Sequence, residues 1–405
     1  MLSQETIQVI KSTVPVLEIH GTAITKRFYE MMFNGHPELL HIFNHANQKQ
    51  GRQQTALANA VYAAAANIDQ LEAILPAVKQ IAHKHRSIGV KPEQYPIVGH
   101  YLLAAIKDVL GEAATEDILR AWKEAYDVIA DVFIQVESEM YEQAASQPGG
   151  WKGFREFKVD RKVKENEWIT SFYLVPLDGK GLADFEPGQY VSVKLVIPGE
   201  RYTHIRQYSL SDAPGKPYYR ISVKREDAVG EKPAGIASVY LHDKVQVGDV
   251  LPLAAPAGSF VLDRQDPRPA ILISGGVGLT PMVSMLETLA ETCPERQVIY
   301  VHATRTGSTP AMKARLEAIE NQHPQVSLCW CEGDLDPEWL RQRIPTLDAG
   351  FYFCGPIPFM KTVNQALLNG GVPAADIHYE FFGPAGSLVD ANEPAPEKPE
   401  QPSVR

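Results

Sequence analysis

Arg206-Gln207-Tyr208-Ser209 is followed by Leu210-Ser211-Asp212 and by the alternating run Tyr218 to Lys224, so its side chains are predicted to project alternately from a strand. An arginine there presents a planar fork that pairs with a pyrophosphate. Tyr208 offers a flat apolar face with a hydroxyl at its edge, and Ser209 a short donor. A flavin needs such groups, because the protein positions and tunes the ring while the ring carries the redox chemistry. The plain alternative is a surface strand with an ordinary arginine and a half-buried tyrosine. What lies on either side decides between them.

Around this stretch, from Trp151 to about Asp263, short alternating segments such as Trp168 to Val175 and Tyr190 to Val196 are bounded by Pro187-Gly188, Pro198-Gly199 and Pro214-Gly215. That spacing predicts antiparallel strands with tight turns, hence a small barrel. Gly235-Ile236-Ala237-Ser238 opens a short helix whose free N–H groups suit a pyrophosphate. Beyond Arg264 to Pro269 the rhythm becomes βαβ: strand Ala270 to Ile273, turn Ser274-Gly275-Gly276-Val277-Gly278-Leu279, then a helix with Thr280 as N-cap and Pro281 at its first position. Glycines at such a turn let backbone approach a phosphate, although Pro281 stands where G-x-G-x-x-G would place its third glycine. The strand Gln297 to His302 ends without an acidic residue for a ribose hydroxyl, which leaves NADH and NADPH both open. Strands Phe351 to Cys354 and Ile377 to Phe382 complete the pattern.

Upstream, the periodicity is helical throughout and ends in Ser146-Gln147-Pro148-Gly149-Gly150-Trp151, where proline and paired glycines form a linker. Seven of the twelve histidines fall in the first 100 residues. In the helix predicted over Leu71 to Ile88, the apolar face runs Leu71, Ile74, Leu75, Val78, Ile81, Ala82, and His85 is its next member. His83 falls on the Lys79 side and is expected to meet solvent. A histidine closing an apolar face is either a satisfied core residue or a haem ligand. Two residues are candidates to orient its imidazole: Tyr95, after the bend at Lys91-Pro92-Glu93-Gln94, and Glu137, at the edge of the buried stripe of the helix Glu116 to Gln143.

The net charge of −10 gives no basic field for nucleic acid or an anionic membrane. No apolar run approaches the ~20 residues that span a bilayer, and the N-terminus lacks a signal-peptide core, so the expected setting is the cytoplasm. The four cysteines lack the CxxC pairs of a zinc site or an iron–sulfur cluster; Cys329 and Cys331 are expected on one face of a strand.

Phe28-Tyr29, Phe43, Gln53, Leu57, Lys84-His85, Lys91 to Tyr95 and Glu137 resemble the globin domain of the bacterial flavohaemoglobins, and the later motifs resemble the flavin and nicotinamide domains of the ferredoxin-reductase superfamily. The resemblance implies a multidomain chain of an all-α globin haem domain (1–147), an antiparallel β-barrel FAD domain (151–263), an α/β parallel-sheet NAD(P) domain (268–385) and a Pro-rich tail (386–405). It implies haem b, FAD and NADH or NADPH as cofactors, and oxygen and nitric oxide as the small molecules handled by a monomer. His85 is then the iron ligand, backed by Tyr95 and Glu137, with Tyr29 and Gln53 on the oxygen side and Phe43, Leu57 and Lys84 around the haem. Tyr190, Arg206, Gln207, Tyr208, Ser209, Gly235 and Ser238 serve FAD. Ser274, Gly275, Gly276, Val277, Gly278 and Leu279 serve the nucleotide, and Glu380-Phe381-Phe382-Gly383-Pro384 lies where nicotinamide enters, Phe382 covering the flavin ring. The implied activity is nitric oxide dioxygenation; a haem-based sensor and a general flavin reductase are the alternatives.

Overall fold

The computed structural model describes residues 2–44, 48, 51–383 and 388. Pro384 and, apart from Leu388, the tail expected over 386–405 lie outside them. Among the described residues five α-helices build the N-terminal part: α1 (Gln4–Gly35), α2 (Arg52–Ala66), α3 (Leu75–Ile88), α4 (Tyr95–Leu110) and α5 (Glu116–Ser146). Ser3 caps α1 by accepting from Thr6 N, and Thr115 caps α5 by accepting from Ile118 N. Ile10, Leu17, Ile24, Phe28 and Met32 fall on one stripe of α1 and meet Leu102, Ala105 and Ile106 of α4 and Trp122 and Ala125 of α5. The single helix read over Leu71 to Ile88 is a 3-10 turn, Leu71–Ile74, followed by α3. Pro76 explains the break, since without an N–H it is accommodated only in a helix's first turn.

Helices α4 and α5 cross closely. A Cβ on Gly99 would sit 2.5 Å from Tyr126 Cε1, so only glycine gives this clearance. Tyr126 then donates its hydroxyl to the Tyr95 carbonyl at 2.6 Å, which fixes the first residue of α4.

Six antiparallel strands follow: β1 (Phe154–Lys164), β2 (Ile169–Pro176), β3 (Tyr190–Leu195), β4 (His204–Ser209), β5 (Tyr219–Lys224) and β6 (Val250–Ala254). Their order is β4-β3-β6-β1-β2-β5, and a Leu210–Ile221 bridge brings the outer strands together into a barrel. Helix α6 (Ile236–Asp243) covers it with Ala237 and Leu241.

The last layer is a parallel sheet in the order β11-β10-β7-β8-β9. Its strands are β7 (Ala270–Gly275), β8 (Val298–Thr304), β9 (Val326–Glu332), β10 (Gly350–Cys354) and β11 (Ile377–Glu380). Helices α7 (Leu279–Thr292), α8 (Lys313–Gln322), α9 (Pro337–Arg341) and α10 (Ile357–Asn369) accompany them. Along β7 the period of two is explicit, with Ala270 and Leu272 in one core and Ile271 and Ile273 in the other. Cys329 and Cys331 do share one face.

Two boundaries differ from the sequence reading. Thr280 is not the N-cap of α7, because a 3-10 turn over Gly276–Gly278 runs straight into the helix at Leu279; Pro281 then falls in the first turn, where a missing N–H costs nothing. β11 ends at Glu380 rather than Phe382. Its partner β10 stops at Cys354 and continues as Gly355-Pro356, and proline has no N–H with which to extend the ladder. Among the described residues no helix is long and apolar enough to cross a membrane, and no group of three or more His, Cys, Asp or Glu could hold a metal.

Candidate functional site

In the helical domain, His85 Nδ1 lies 2.7 Å from Glu137 Oε1 and 3.3 Å from the Tyr95 hydroxyl, which donates to the same Glu137 oxygen at 2.6 Å. A carboxylate can only accept, so Nδ1 carries the imidazole proton and Nε2 keeps its lone pair. Glu137 is 3 % exposed, so it is not a solvated residue of the helix edge, and these two donors are its partners. Burial, then the Glu137 charge, pushes the Tyr95 phenol up. His85 makes its hydrogen bonds to Tyr95 and Glu137 through Nδ1, and 32 % of its side chain remains exposed. A lone imidazole with a free nitrogen on an apolar helix face fits a haem iron, which would need only this one protein donor because the porphyrin supplies the rest.

Tyr29 is buried, in edge contact with Phe43 at 5.8 Å between ring centroids. Burial pushes its hydroxyl up, and a hydrogen bond with Gln53 offsets part of that. Gln53 also accepts from Gln48 Nε2 at 2.9 Å, and Leu57 packs half-buried against the same core. Thus Tyr29, Phe43, Gln53 and Leu57 belong to one cluster.

The last turn of α3 is docked on the barrel. Gln207 Nε2 donates to Ser192 Oγ at 3.2 Å, Ser192 to Ser87 Oγ at 2.9 Å, and Ser87 to the Lys84 carbonyl at 2.8 Å. Buried Arg86 donates from Nη2 to the Pro256 carbonyl at 2.5 Å and from Nη1 to the Ala255 carbonyl at 3.5 Å. His83, expected in solvent, instead lies in this seam: its Nδ1 accepts from Gly258 N at 3.3 Å, and burial lowers its pKa to about 4. Helical phase correctly excluded His83 from the helical core, but the face opposite that core is covered by the barrel. Lys84 faces Glu380 across the domains; burial raises the Glu380 carboxyl to about 7, partly offset by the Lys84 charge.

On β4 and β3, Arg206, Tyr208 and Tyr190 are half-buried and Ser209 is buried. Arg206 Nη1 donates to the Ile205 carbonyl at 2.8 Å, and burial lowers its pKa. A partly desolvated guanidinium bonded to a neutral carbonyl fits an anionic phosphate. Gly235 is the residue preceding α6, and Ser238 Oγ lies between the Gly235 carbonyl and Glu226 N, at 3.0 and 3.2 Å. The first N–H groups of α6 have no partner within the helix, as at any helix start, which is what suits such a terminus to a phosphate.

In the parallel sheet, the turns after β7 and β10 meet where the strand order reverses, the place at which open α/β sheets bind nucleotides. A Cβ on Gly278 would sit 2.1 Å from the Cys354 carbonyl, so glycine is required for the two turns to touch. Gly276 has φ +55°, and Gly275 lies against Phe359. Ser274 Oγ is buried between His302 Nδ1 and the Tyr300 hydroxyl at 2.7 and 2.9 Å, while Val277 and Leu279 anchor the turn in the core. Phe381 packs against that sheet's core; Phe382 is 47 % exposed, so it is not a core residue of the sheet edge, and Gly383 follows.

The sequence reading missed Arg86, Ser87 and Ser192. No local signal marks them, because an arginine beside His85 reads as a solvated residue. It also missed an ion cluster in which Asp212, Arg220 and Glu287 are buried and the more exposed Arg315 closes the outer side.

Comparison with known proteins gives three family matches in order: globin over residues 26–133, an oxidoreductase FAD-binding domain over 158–262 and an oxidoreductase NAD-binding domain over 272–365. The chain is 58 % identical over 404 residues to the flavohemoprotein of Bacillus thuringiensis subsp. konkukian, covering 96 % of this chain and 100 % of that one. It is 51 % identical over 407 residues to the flavohemoprotein of Bacillus subtilis, with the same coverages. Among solved structures it is similar to the flavohemoglobin of Malassezia yamatoensis with bound FAD and heme, at TM-score 0.81 and 26 % identity over 94 % of this chain and 100 % of that one. The FAD/NAD-binding domain of nitric oxide dioxygenase from Vibrio cholerae matches 57 % of this chain and 99 % of its own at TM-score 0.53 and 40 % identity.

Proposed function

The chain belongs to the flavohaemoprotein family, and on that premise we propose how its residues divide the work of an NAD(P)H-dependent nitric oxide dioxygenase. When bound, haem supplies the site at which dioxygen meets nitric oxide, and FAD supplies the conversion of a two-electron hydride into single electrons. Glu137 and Tyr95 hold the proton on His85 Nδ1, which orients Nε2 and makes it a stronger electron donor. Tyr29 and Gln53 present hydrogen-bonding groups to the opposite side of the pocket, where a dry environment strengthens them. Phe43, Leu57 and Lys84 enclose the haem. Arg206 takes the FAD pyrophosphate with the N–H groups after Gly235 and at Ser238; Tyr190, Gln207, Tyr208 and Ser209 hold the ring. Ser274 to Leu279 cradle the nucleotide, and Glu380 to Gly383 line the entry of nicotinamide, Phe382 shielding the flavin. The proposed unit is a monomer acting in the cytoplasm.

The observation that carries this reading is the hydrogen-bonded path Gln207–Ser192–Ser87–Lys84 carbonyl, which joins the flavin strand to the residue before His85. Its test is turnover of the purified, cofactor-loaded chain under oxygen and nitric oxide electrodes. Electron balance requires two nitric oxide and two dioxygen consumed, with two nitrate formed, per NADH oxidised to NAD+. Saturable binding of nitric oxide without continuing NADH oxidation would identify a sensor instead.

A further inference from the structure

Asp212, Arg220 and Glu287 are each 3 % exposed or less, and they sit together where the barrel meets the parallel sheet. Asp212 follows β4 and Arg220 lies in β5, whereas Glu287 is on α7 and Arg315 on α8. Arg315 Nη2 donates to Asp212 Oδ1 at 3.0 Å and its Nε to Glu287 Oε1 at 2.5 Å. Arg220 Nη2 donates to Glu287 Oε1 at 3.4 Å, and its Nη1 lies 3.5 Å from Asp212 Oδ2. The remaining acceptors are filled: Ala213 N donates to Glu287 Oε2 at 3.2 Å, the Tyr218 hydroxyl to Asp212 Oδ2 at 3.0 Å, and Ser284 Oγ to the Asp212 carbonyl at 2.8 Å. Two acids and two bases thus balance in charge, and contacts of both kinds cross between the domains.

Such a cluster is a poor source of stability, because desolvating the three buried charges cancels most of the attraction and apolar packing would hold the domains as well. What directional bonds supply is a single arrangement. Their placement indicates what is being arranged. Asp212 stands three residues beyond Ser209, about 10 Å along the strand direction, and Glu287 stands about 12 Å along α7 from the helix start that forms the nucleotide turn. The cluster therefore ties the strand bearing the flavin anchor to the helix bearing the nucleotide turn, with a short lever on each side.

We propose that Asp212, Arg220, Glu287 and Arg315 are positioning residues for hydride transfer, a clamp that fixes the nicotinamide site against the flavin site. The inference rests on the reading of Arg206 to Ser209 and Ser274 to Leu279 as those two sites. The transfer moves two electrons and one proton together from NADH, leaving NAD+, onto the flavin. Donor and acceptor must meet within roughly 3–3.5 Å, and a displacement of about 1 Å costs on the order of 100-fold in rate.

The test uses the full-length holoprotein in anaerobic stopped flow, following flavin bleaching by NADH and by NADH deuterated at the transferred position. Arg315→Met and Glu287→Gln are expected to slow the limiting rate at saturating NADH by about 10- to 100-fold. FAD content and the NADH dissociation constant should stay within about two-fold, and Arg315→Lys should recover part of the rate. Amide exchange should quicken in 210–220 and 284–292 and remain unchanged in the helical domain. Limiting rates within two-fold of the parent would overturn the clamp. So would a rate loss that merely tracks lost FAD and lowered melting temperature and is not relieved by Arg315→Lys, since the cluster would then be only a structural stitch. A parent protein that takes no hydride from NADH would sink the site reading itself, a different failure from inert variants of a competent parent.

Discussion

Replacing Arg86 by Met perturbs the seam between the helical domain and the barrel without replacing any assigned haem or flavin residue. Arg86 is 7 % exposed and gives the Pro256 carbonyl a 2.5 Å bond and the Ala255 carbonyl a 3.5 Å one. Hydrogen bonds from charged donors contribute about 1.5–3 kcal/mol each. Against that, the guanidinium resists burial, and its pKa is lowered for that reason. Methionine of similar length escapes the desolvation cost and fills most of the space. The two effects leave a net loss near the lower bound, about 1.5 kcal/mol, or roughly tenfold in the docking equilibrium. Amide exchange around Gly258 and over 83–90 should therefore quicken by about tenfold, while exchange deep in α1 and β7 stays unchanged. Reduction of haem by NADH should slow by up to the same factor, and NADH-driven reduction of ferricyanide, which needs only the flavin, should not. Unchanged exchange at the seam, or equal loss of both reductions, would refute the docking role.

His85→Ala should abolish the haem absorbance spectrum; His83→Ala should retain it and loosen the seam by about 1 kcal/mol, the worth of one neutral hydrogen bond, read by the same exchange experiment. Arg206→Ala should weaken FAD binding at least about tenfold in equilibrium dialysis, since a phosphate charge loses a forked partner worth about 1.5–3 kcal/mol. His302 is 2 % exposed and burial lowers its pKa from 6.5 to about 4, so the unfolded chain binds the proton first as pH falls. Its contribution is complete above pH 6.5 and is lost between 6.5 and 4, amounting to about 2 kcal/mol at pH 5. A His302→Gln protein should accordingly lose less melting temperature between pH 7 and pH 5 than the parent, and parallel curves would show that His302 is not the group responsible.

Sequence by itself determined the order of the three architectures and the identity of the iron-ligand candidate. Helical and strand periods are local properties, so the stripe ending at His85 and the alternation around Arg206 to Ser209 could be read without any tertiary contact. Glu137 was legible only as a carboxylate at the edge of a stripe; whether it was solvated depended on where α3 and Tyr95 lay, and the structure buries it against both. Periodicity states which face of an element is apolar, and assigns every polar face to water. That assumption failed wherever a second domain covers a polar face. His83, Arg86 and Ser87 lie on the outer side of α3, and their partners Gly258, Pro256 and Ser192 are more than 100 residues away. Asp212 and Glu287 look like ordinary surface acids until the barrel and the parallel sheet close over them. Only the tertiary structure could decide these contacts, because hydrogen bonds between domains are set by where two surfaces meet, and that depends on the whole of both.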